Sequence, residues 1–353
     1  MNTIQEGKIL LKVFNQEHKD KISKELPVFY NPVMKLNRDL SILLINSLKE
    51  EDFQIAMPMA GSGVRGIRFI QELKQNKIRN ISFNDYSKDS IDLIKDNMKL
   101  NGLKWKRLKK LKLIDINEKD ANEFLLESKG FNYIDIDPFG PPIQFLDAAV
   151  KRISRNGILA VTATDTSALS GTYPKACKRK YWATPKRDSI MHETGIRILA
   201  RRVQLIGLSQ DKALTPVFSY SKDHYMRVFF RCEKSKEKCD VIFKQQGVFN
   251  EAGPMWLGQL WDENLCKKMK EENTDEKNQK LLNTIHEESK INKLGFYDIY
   301  DLCKTNKLSI PKFETLFEVL KNKKFKVCRT HFSDKGIRSD VEKEELIKIL
   351  KKL

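Results

Sequence analysis

Asp135-Ile136-Asp137-Pro138-Phe139-Gly140-Pro141-Pro142 is the segment of this chain whose residue types are best suited to chemistry. It sets a carboxylate, a rigid backbone and an aromatic ring side by side, directly after an apolar run. An exocyclic amine on a base has its lone pair delocalised into the ring. A carboxylate that accepts its N–H protons favours the geometry in which that lone pair points at a methyl donor. The same carboxylate can take up the proton released on transfer. Proline restricts the backbone, so that a neighbouring carbonyl can hold the other N–H. The aromatic ring can stack on the face of the base.

A second constellation is Gly61-Ser62-Gly63-Val64-Arg65-Gly66, a G-x-G-x-x-G match between a strand-like and a helix-like segment. Glycines there let a ligand approach the backbone, and a helix N-terminus offers unpaired N–H groups. Asp85 follows Gly66 by 19 residues, at the end of the next strand-like run. A carboxylate in that place can bind two ribose hydroxyls. Two cofactor classes fit this pair equally: a nicotinamide dinucleotide and S-adenosylmethionine. Asp120-Ala121 follows a third strand-like run, where an adenine ring would lie. Asp120 can accept from the exocyclic amine and the adjacent N–H can serve a ring nitrogen, although a helix-capping aspartate is the plainer reading. A hydride-transfer enzyme has no use for the Asp137 set.

These residues need a sheet whose carboxyl edge gathers them. The spacing predicts strands over 54–57, 80–84, 110–114, 131–136 and 157–162, and helices over 64–73, 87–100, 144–153 and 190–205. That alternation argues for a doubly wound, mostly parallel sheet. Runs 215–220 and 225–232 are separated by Ser-Lys-Asp-His and read as an antiparallel hairpin closing it. The polar stretch 233–240 is the expected boundary, dividing a domain over 1–235 from a smaller α+β domain over 236–353. Beyond it, 263–290 is charged and reads as helical. Helices over 296–303 and 312–321, then a strand over 325–330 and a Ser-Asp-Lys-Gly turn, outline a winged helix near the end of the chain.

The 353 residues carry Lys+Arg 65 against Asp+Glu 47, a net charge of +18. A polyanionic partner is expected, nucleic acid or an acidic membrane surface. No run of about 18 apolar residues is present, so no spanning helix is expected, and the N-terminus lacks a signal-peptide layout. Six scattered cysteines without a CxxC read as reduced thiols of a cytoplasmic protein, with no metal site. Lys175, Lys178, Arg179, Lys180, Lys186 and Arg187 interleave with Tyr173, Tyr181 and Trp182, which suits an RNA backbone and unstacked bases. Lys321, Lys323, Lys324, Lys326 and Arg329 form a second basic patch.

Asp137-Pro138-Phe139 resembles the (D/N)-P-P-(Y/F) motif of amino-group methyltransferases. Phe29-Tyr30-Asn31-Pro32, Asn37-Arg38-Asp39-Leu40-Ser41, Gly63-Val64-Arg65-Gly66 and Asp137-Pro138-Phe139-Gly140 together resemble the tRNA (guanine-26-N2)-dimethyltransferase family. So do Gly171-Thr172-Tyr173-Pro174-Lys175-Ala176-Cys177, His192-Glu193-Thr194-Gly195, Gly253-Pro254-Met255-Trp256 and Thr330-His331-Phe332-Ser333. The blocks cover about residues 28–340 in the family's order. The resemblance implies a class I methyltransferase domain over 1–235 with an N-terminal extension, and a tRNA-binding domain over 236–353. It implies S-adenosylmethionine as donor and a tRNA guanine N2 as acceptor, methylated once and then again, with no obligate protein partner.

Asp137 matches the family's catalytic aspartate, and Phe139 and Phe29 its guanine-sandwiching pair. Arg38, Arg65, Asp85, Asp120 and Ala121 match its cofactor-binding positions, beside Gly61 of the glycine loop. Either arginine suits the methionine carboxylate. Other members often carry a four-cysteine zinc cluster before the Gly-Pro-x-Trp block; here that stretch has only Cys239, so zinc is not carried over. The rival readings are an amino-methyltransferase acting on another RNA or DNA position, an NAD(P)-dependent oxidoreductase, and a non-catalytic basic RNA-binding protein.

Overall fold

Short apolar runs become the inner strands of a parallel sheet, because helices cover both faces and leave no polar side to alternate with. The computed structural model describes residues 1–14 and 27–353. The chain divides into two units. One holds Met1–Thr162, Ile206–Leu214 and Phe229–Lys236; the other holds Ala163–Leu205, Thr215–Val228 and Glu237–Leu353.

The first unit opens with a hairpin, β1 (Asn2–Glu6) and β2 (Ile9–Val13). Then follow α1 (Lys35–Ser47), β3 (Phe53–Met57), α2 (Val64–Glu72), β4 (Ile78–Asp85), α3 (Lys88–Leu100) and α4 (Trp105–Lys110). Next come β5 (Ile114–Glu118), α5 (Ala121–Glu127), β6 (Phe131–Ile136), α6 (Ile143–Arg152) and β7 (Ile153–Ala163). Through the second unit's α7 (Thr166–Leu169) and α8 (Pro174–Tyr181) and through α9 (Met191–Leu208), the chain reaches β8 (Lys212–Lys222) and β9 (Tyr225–Lys234). The seven-stranded sheet has the order β5-β4-β3-β6-β7-β9-β8. Strands β3, β4, β5, β6 and β7 pair in parallel. Only residues 223 and 224 join β8 to β9, a connection that antiparallel strands alone can use. This is the mixed, mostly parallel sheet of class I methyltransferases, with smaller sheets added.

The expected strand over 110–114 is corrected. Residues 105–110 form α4, and the strand is Ile114–Glu118. Its pattern is hard to read because it lies at the sheet edge, where only Ile114 is buried and Asp115, Asn117 and Glu118 meet water. The hairpin β1–β2 is also absent from the sequence reading, for lack of any neighbouring repeat of strand and helix.

In the second unit, α10 (Lys236–Lys244) precedes a small antiparallel pair, β10 (Gln246–Phe249) and β11 (Ala252–Trp256). The charged run over 263–290 is not one helix. It splits into α11 (Glu263–Glu272) and α12 (Glu276–Ser289), because the Asp275 side chain accepts from Lys277 N and starts a new helix. The helix expected over 296–303 begins later. Tyr297–Asp298 is β12, and Asp298 caps α13 (Ile299–Asn306). After α14 (Phe313–Asn322) come β13 (Val327–Arg329), β14 (Gly336–Ser339) and α15 (Lys343–Leu350). The three strands form a sheet in the order β12-β14-β13, over a core that includes Ile299, Leu316, Leu320, Ile337 and Leu346. Arg338 of β14 lies fully buried between Glu193 (2.6 Å) and Glu288 (3.1 Å), fastening α9 and α12 to this sheet.

Candidate active site

The site grows from the carboxyl ends of β3, β4 and β6, where strands stop and loops must open. Pro138 ends β6 immediately after Asp137 and prevents the ladder from continuing. At the end of β3, Gly61 and Gly63 both adopt positive φ (53° and 78°), and Gly63 caps α2. Gly66 serves packing: a Cβ there would stand 2.3 Å from the Phe83 ring. The first turn of α2 therefore lies flush on β4, with its N–H groups at the carboxyl edge.

Arg65 projects from that turn. Its Nη1 donates to Asn37 Oδ1 (2.8 Å) and Ser41 Oγ (2.9 Å), both on α1. Its Nη2 donates to Asp137 Oδ2, and its Nε lies 3.5 Å from Asp135 Oδ2. All three guanidinium nitrogens of Arg65 are thus engaged. Arg38 stands in the same small cavity, of about 80 Å³, with Met57, Met59, Asp135 and Asp137. Cavities that swallow a whole drug-sized ligand run to roughly 300–1,000 Å³, so this one is too small to enclose such a ligand whole.

Arg38 is held from behind. Its Nε and Nη2 donate to the two carboxylate oxygens of Glu6, at 2.6 and 2.5 Å, and Nη2 also reaches Asn31 O at 3.0 Å. The Tyr30 side chain also hydrogen-bonds this guanidinium. Asn37 Nδ2 is a buried donor without a partner among the described residues. Glu6 also accepts from Arg68 Nη1 (2.9 Å) and from the Tyr30 hydroxyl (2.7 Å). Burial raises the Glu6 carboxyl, but the hydrogen bonds and charges of Arg38, Tyr30 and Arg68 outweigh it and hold the pKa at about 2. Sequence reasoning missed Glu6 because nothing local marks it.

The other expected residues divide clearly. Asp85 Oδ2 accepts from Gly61 N (2.8 Å), so the acidic residue and the glycine loop meet. Its Oδ1 accepts from Ser87 N (3.1 Å), and both oxygens keep lone pairs for hydroxyl donors. Tyr86, the next residue, is 82% exposed and is a further candidate that sequence reasoning missed. An aromatic residue directly after the acidic one was the available signal, and its ring is free to stack on a purine. Asp120 caps α5 through Asn122 N (2.8 Å) and Glu123 N (3.2 Å), with Ala121 buried behind it. These two sit at the end of β5 and do not line the Arg38–Asp137 cavity.

Phe29 and Phe139 meet, but edge to face: their centroids are 4.6 Å apart and their planes 69° apart. The rings fill the space between them, so a base cannot enter until one swings. Phe139, 56% exposed and followed by Gly140 at φ 79°, is the freer of the two.

Known proteins share this architecture along its whole length. The profile of the family described as N2,N2-dimethylguanosine tRNA methyltransferase matches residues 7–251 and 244–351. A tRNA (guanine(26)-N(2))-dimethyltransferase of Methanobrevibacter smithii is 37% identical, over 100% of this chain and 98% of its own. A tRNA (guanine(26)-N(2)/guanine(27)-N(2))-dimethyltransferase of Aquifex aeolicus is 34% identical, over 100% and 96%. Among solved structures, Trm1 from Pyrococcus horikoshii in complex with S-adenosyl-L-methionine superposes with a TM-score of 0.88 at 32% identity, covering 99% of both chains. Full-length identity of this order, together with the carboxyl-edge site, leads to one conclusion: the chain belongs to the N2,N2-dimethylguanosine tRNA methyltransferase family.

Proposed function

We propose that this protein transfers methyl groups from S-adenosylmethionine to the N2 amine of guanine 26 in tRNA, giving the monomethyl and then the dimethyl base. The observation that carries the reading is Asp137. It stands at the end of β6 with one oxygen tied to Arg65, beside the Phe29–Phe139 pair and in the same cavity as Arg38.

The residues fit the donor. Asp85 suits the ribose, Asp120 and Ala121 the adenine, and the Gly61 loop the close approach of the nucleoside. Arg38 suits the methionine carboxylate better than Arg65 does, since Arg65 is taken by Asp135 and Asp137 while the buried Asn37 Nδ2, on the helix of Arg38, is a donor without a partner among the described residues. Arg65 instead orients Asp137. S-adenosylmethionine, when bound, supplies an electrophilic methyl group on a sulfonium. The remaining work is positioning. Asp137 Oδ1 accepts an N–H of the guanine amine and turns its lone pair outward. A backbone carbonyl near Pro138 holds the second N–H. Asp137 then receives the proton that the amine sheds. Phe29 and Phe139 part and stack on the flipped guanine, at roughly 1–3 kcal/mol per stacked base, against an unstacking cost of a few kcal/mol.

In the second unit, α13, α14 and the β12-β14-β13 sheet follow the winged-helix order. We read residues 236–353 as a tRNA-binding part. The segment around α8 supports a further contact, with exposed Tyr173 and the Arg202 guanidinium 3.8 Å over the exposed Trp182 ring. All six cysteines are buried thiols, which supports a cytoplasmic setting. No helix among the described residues is long and apolar enough to cross a membrane.

The test is incubation with S-adenosylmethionine and an unmodified tRNA transcript, followed by nucleoside mass spectrometry. N2-methyl- and N2,N2-dimethylguanosine that vanish when guanine 26 is replaced bear the proposal out. Another methylated nucleoside overturns the assigned atom.

A further inference from the structure

We infer that the surface helix α4 and the edge of the sheet beside it form a docking surface for the RNA phosphate backbone, separate from the basic segments around α8 and residues 321–329. The inference rests on tRNA being the substrate.

Residues 104–112 (KWKRLKKLK) hold six cations, Lys104, Lys106, Arg107, Lys109, Lys110 and Lys112, and no acid. All six are exposed, and α4 buries none of its own residues. Among the described residues none of the six pairs with a carboxylate. Surface lysines nearby behave otherwise. Lys95 pairs with Asp92 at 3.0 Å, Lys12 with Asp96 at 3.3 Å, and Lys119 with Glu127. Like charges three and four residues apart, as in Lys106 with Lys109 and Lys110, destabilise a short helix. A helix that buries nothing has little packing to offset this repulsion, whereas a polyanion laid across it would.

A second feature lies at the same edge. An open groove of about 640 Å³ runs along β4 and β5; Arg79, Lys112 and Lys129 line it, beside Asp115 and the Lys119–Glu127 ion pair. Arg79, Lys112 and Lys129 can meet phosphate oxygens, while the Ser82, Asn80 and Asn117 side chains are held by Asn80 Oδ1, Lys112 O and Phe83 O and shape the floor. Strand β5 connects the two regions, since α4 precedes its start and Asp120 follows its end. Five residues of strand span about 16 Å, so a folded RNA with a base at the carboxyl edge has backbone within reach of α4. These contacts read no base and should supply affinity and orientation.

The experiment uses the full-length protein with Lys106→Glu, Arg107→Glu, Lys109→Glu and Lys110→Glu combined. S-adenosylmethionine affinity by calorimetry and the circular dichroism spectrum serve as folding controls, since α4 buries nothing. Binding of an unmodified tRNA transcript is followed by fluorescence anisotropy from 50 to 400 mM KCl. The expected result is a Kd at least tenfold weaker at the lowest salt. The slope of log K against log[KCl] should become shallower by about 0.7–0.9 for each phosphate that is no longer neutralised, so by up to about 3–4 for the four cations removed in this variant. An unchanged Kd and slope overturns the inference. So does a variant that keeps tRNA affinity but loses binding to phosphatidylserine vesicles, which would assign the patch to a membrane. Wild-type protein that binds no tRNA at any salt refutes the functional reading itself, a result distinct from wild type and variant binding alike.

Discussion

Replacing Glu6 with Gln tests whether the amino-terminal hairpin is part of the site's electrostatic frame. Glu6 is 2% exposed and is the only carboxylate paired with Arg38 among the described residues, while Arg68 keeps Asp39 and Glu72 as well. The folded-state carboxyl titrates at about 2 against an ordinary 4.5. At 1.36 kcal/mol per pKa unit this is about 3 kcal/mol of stability at pH 7, the low end of the roughly 3–5 kcal/mol for breaking a buried pair. A depressed carboxylate pKa stabilises the fold above the unfolded value and ceases to do so as the pH falls through the folded value. The difference between wild type and Glu6→Gln should therefore be full from about pH 5.5 upward, near 1.4 kcal/mol at pH 3, and close to zero below pH 2.

Urea unfolding at pH 7, 5, 4 and 3 measures it, because all other titrations cancel in the difference. The unit that carries Glu6 has about 180 residues, so Tm at pH 7 should fall by about 6–12 °C. A difference that stays constant with pH, or one below about 1 kcal/mol at pH 7, refutes the reasoning.

Asp137→Ala should lower kcat by about 10²–10⁴, with less than a threefold change in S-adenosylmethionine Kd by calorimetry; a loss of cofactor affinity that explains the whole defect refutes its role. Arg38→Ala should weaken S-adenosylmethionine binding at least tenfold but leave the affinity of 5′-methylthioadenosine, which lacks the carboxylate, within about twofold. Equal losses for both ligands would return the carboxylate to Arg65. Phe139→Ala should raise the KM for tRNA by about 5–150-fold, the equivalent of 1–3 kcal/mol of stacking, with little effect on cofactor binding. Gly66→Ala should destabilise the fold by about 1–3 kcal/mol through the Phe83 ring, measured by denaturant midpoint.

What the sequence determined by itself is local. The Asp137-Pro138-Phe139 run, the glycine loop and the alternation of β3, α2, β4 and α3 are each written in a few adjacent residues. Their chemistry follows from bond restriction, periodicity and residue type, so the sheet, and the residues proposed for the site at its edge, were legible there. The edge strand β5 was not, because its exposed face breaks the apolar pattern and its neighbour α4 carries four cations among six residues. The division between Arg38 and Arg65 lay beyond any local pattern. Arg38 is engaged by Glu6, 32 positions earlier, and Arg65 by Asp137, 72 positions later. The edge-on Phe29–Phe139 contact likewise joins residues 110 positions apart. Which carboxylates each of two equivalent cations meets is a matter of which acceptors the fold brings within about 3 Å of it. That is decided only once hairpin, α1, α2 and β6 have packed.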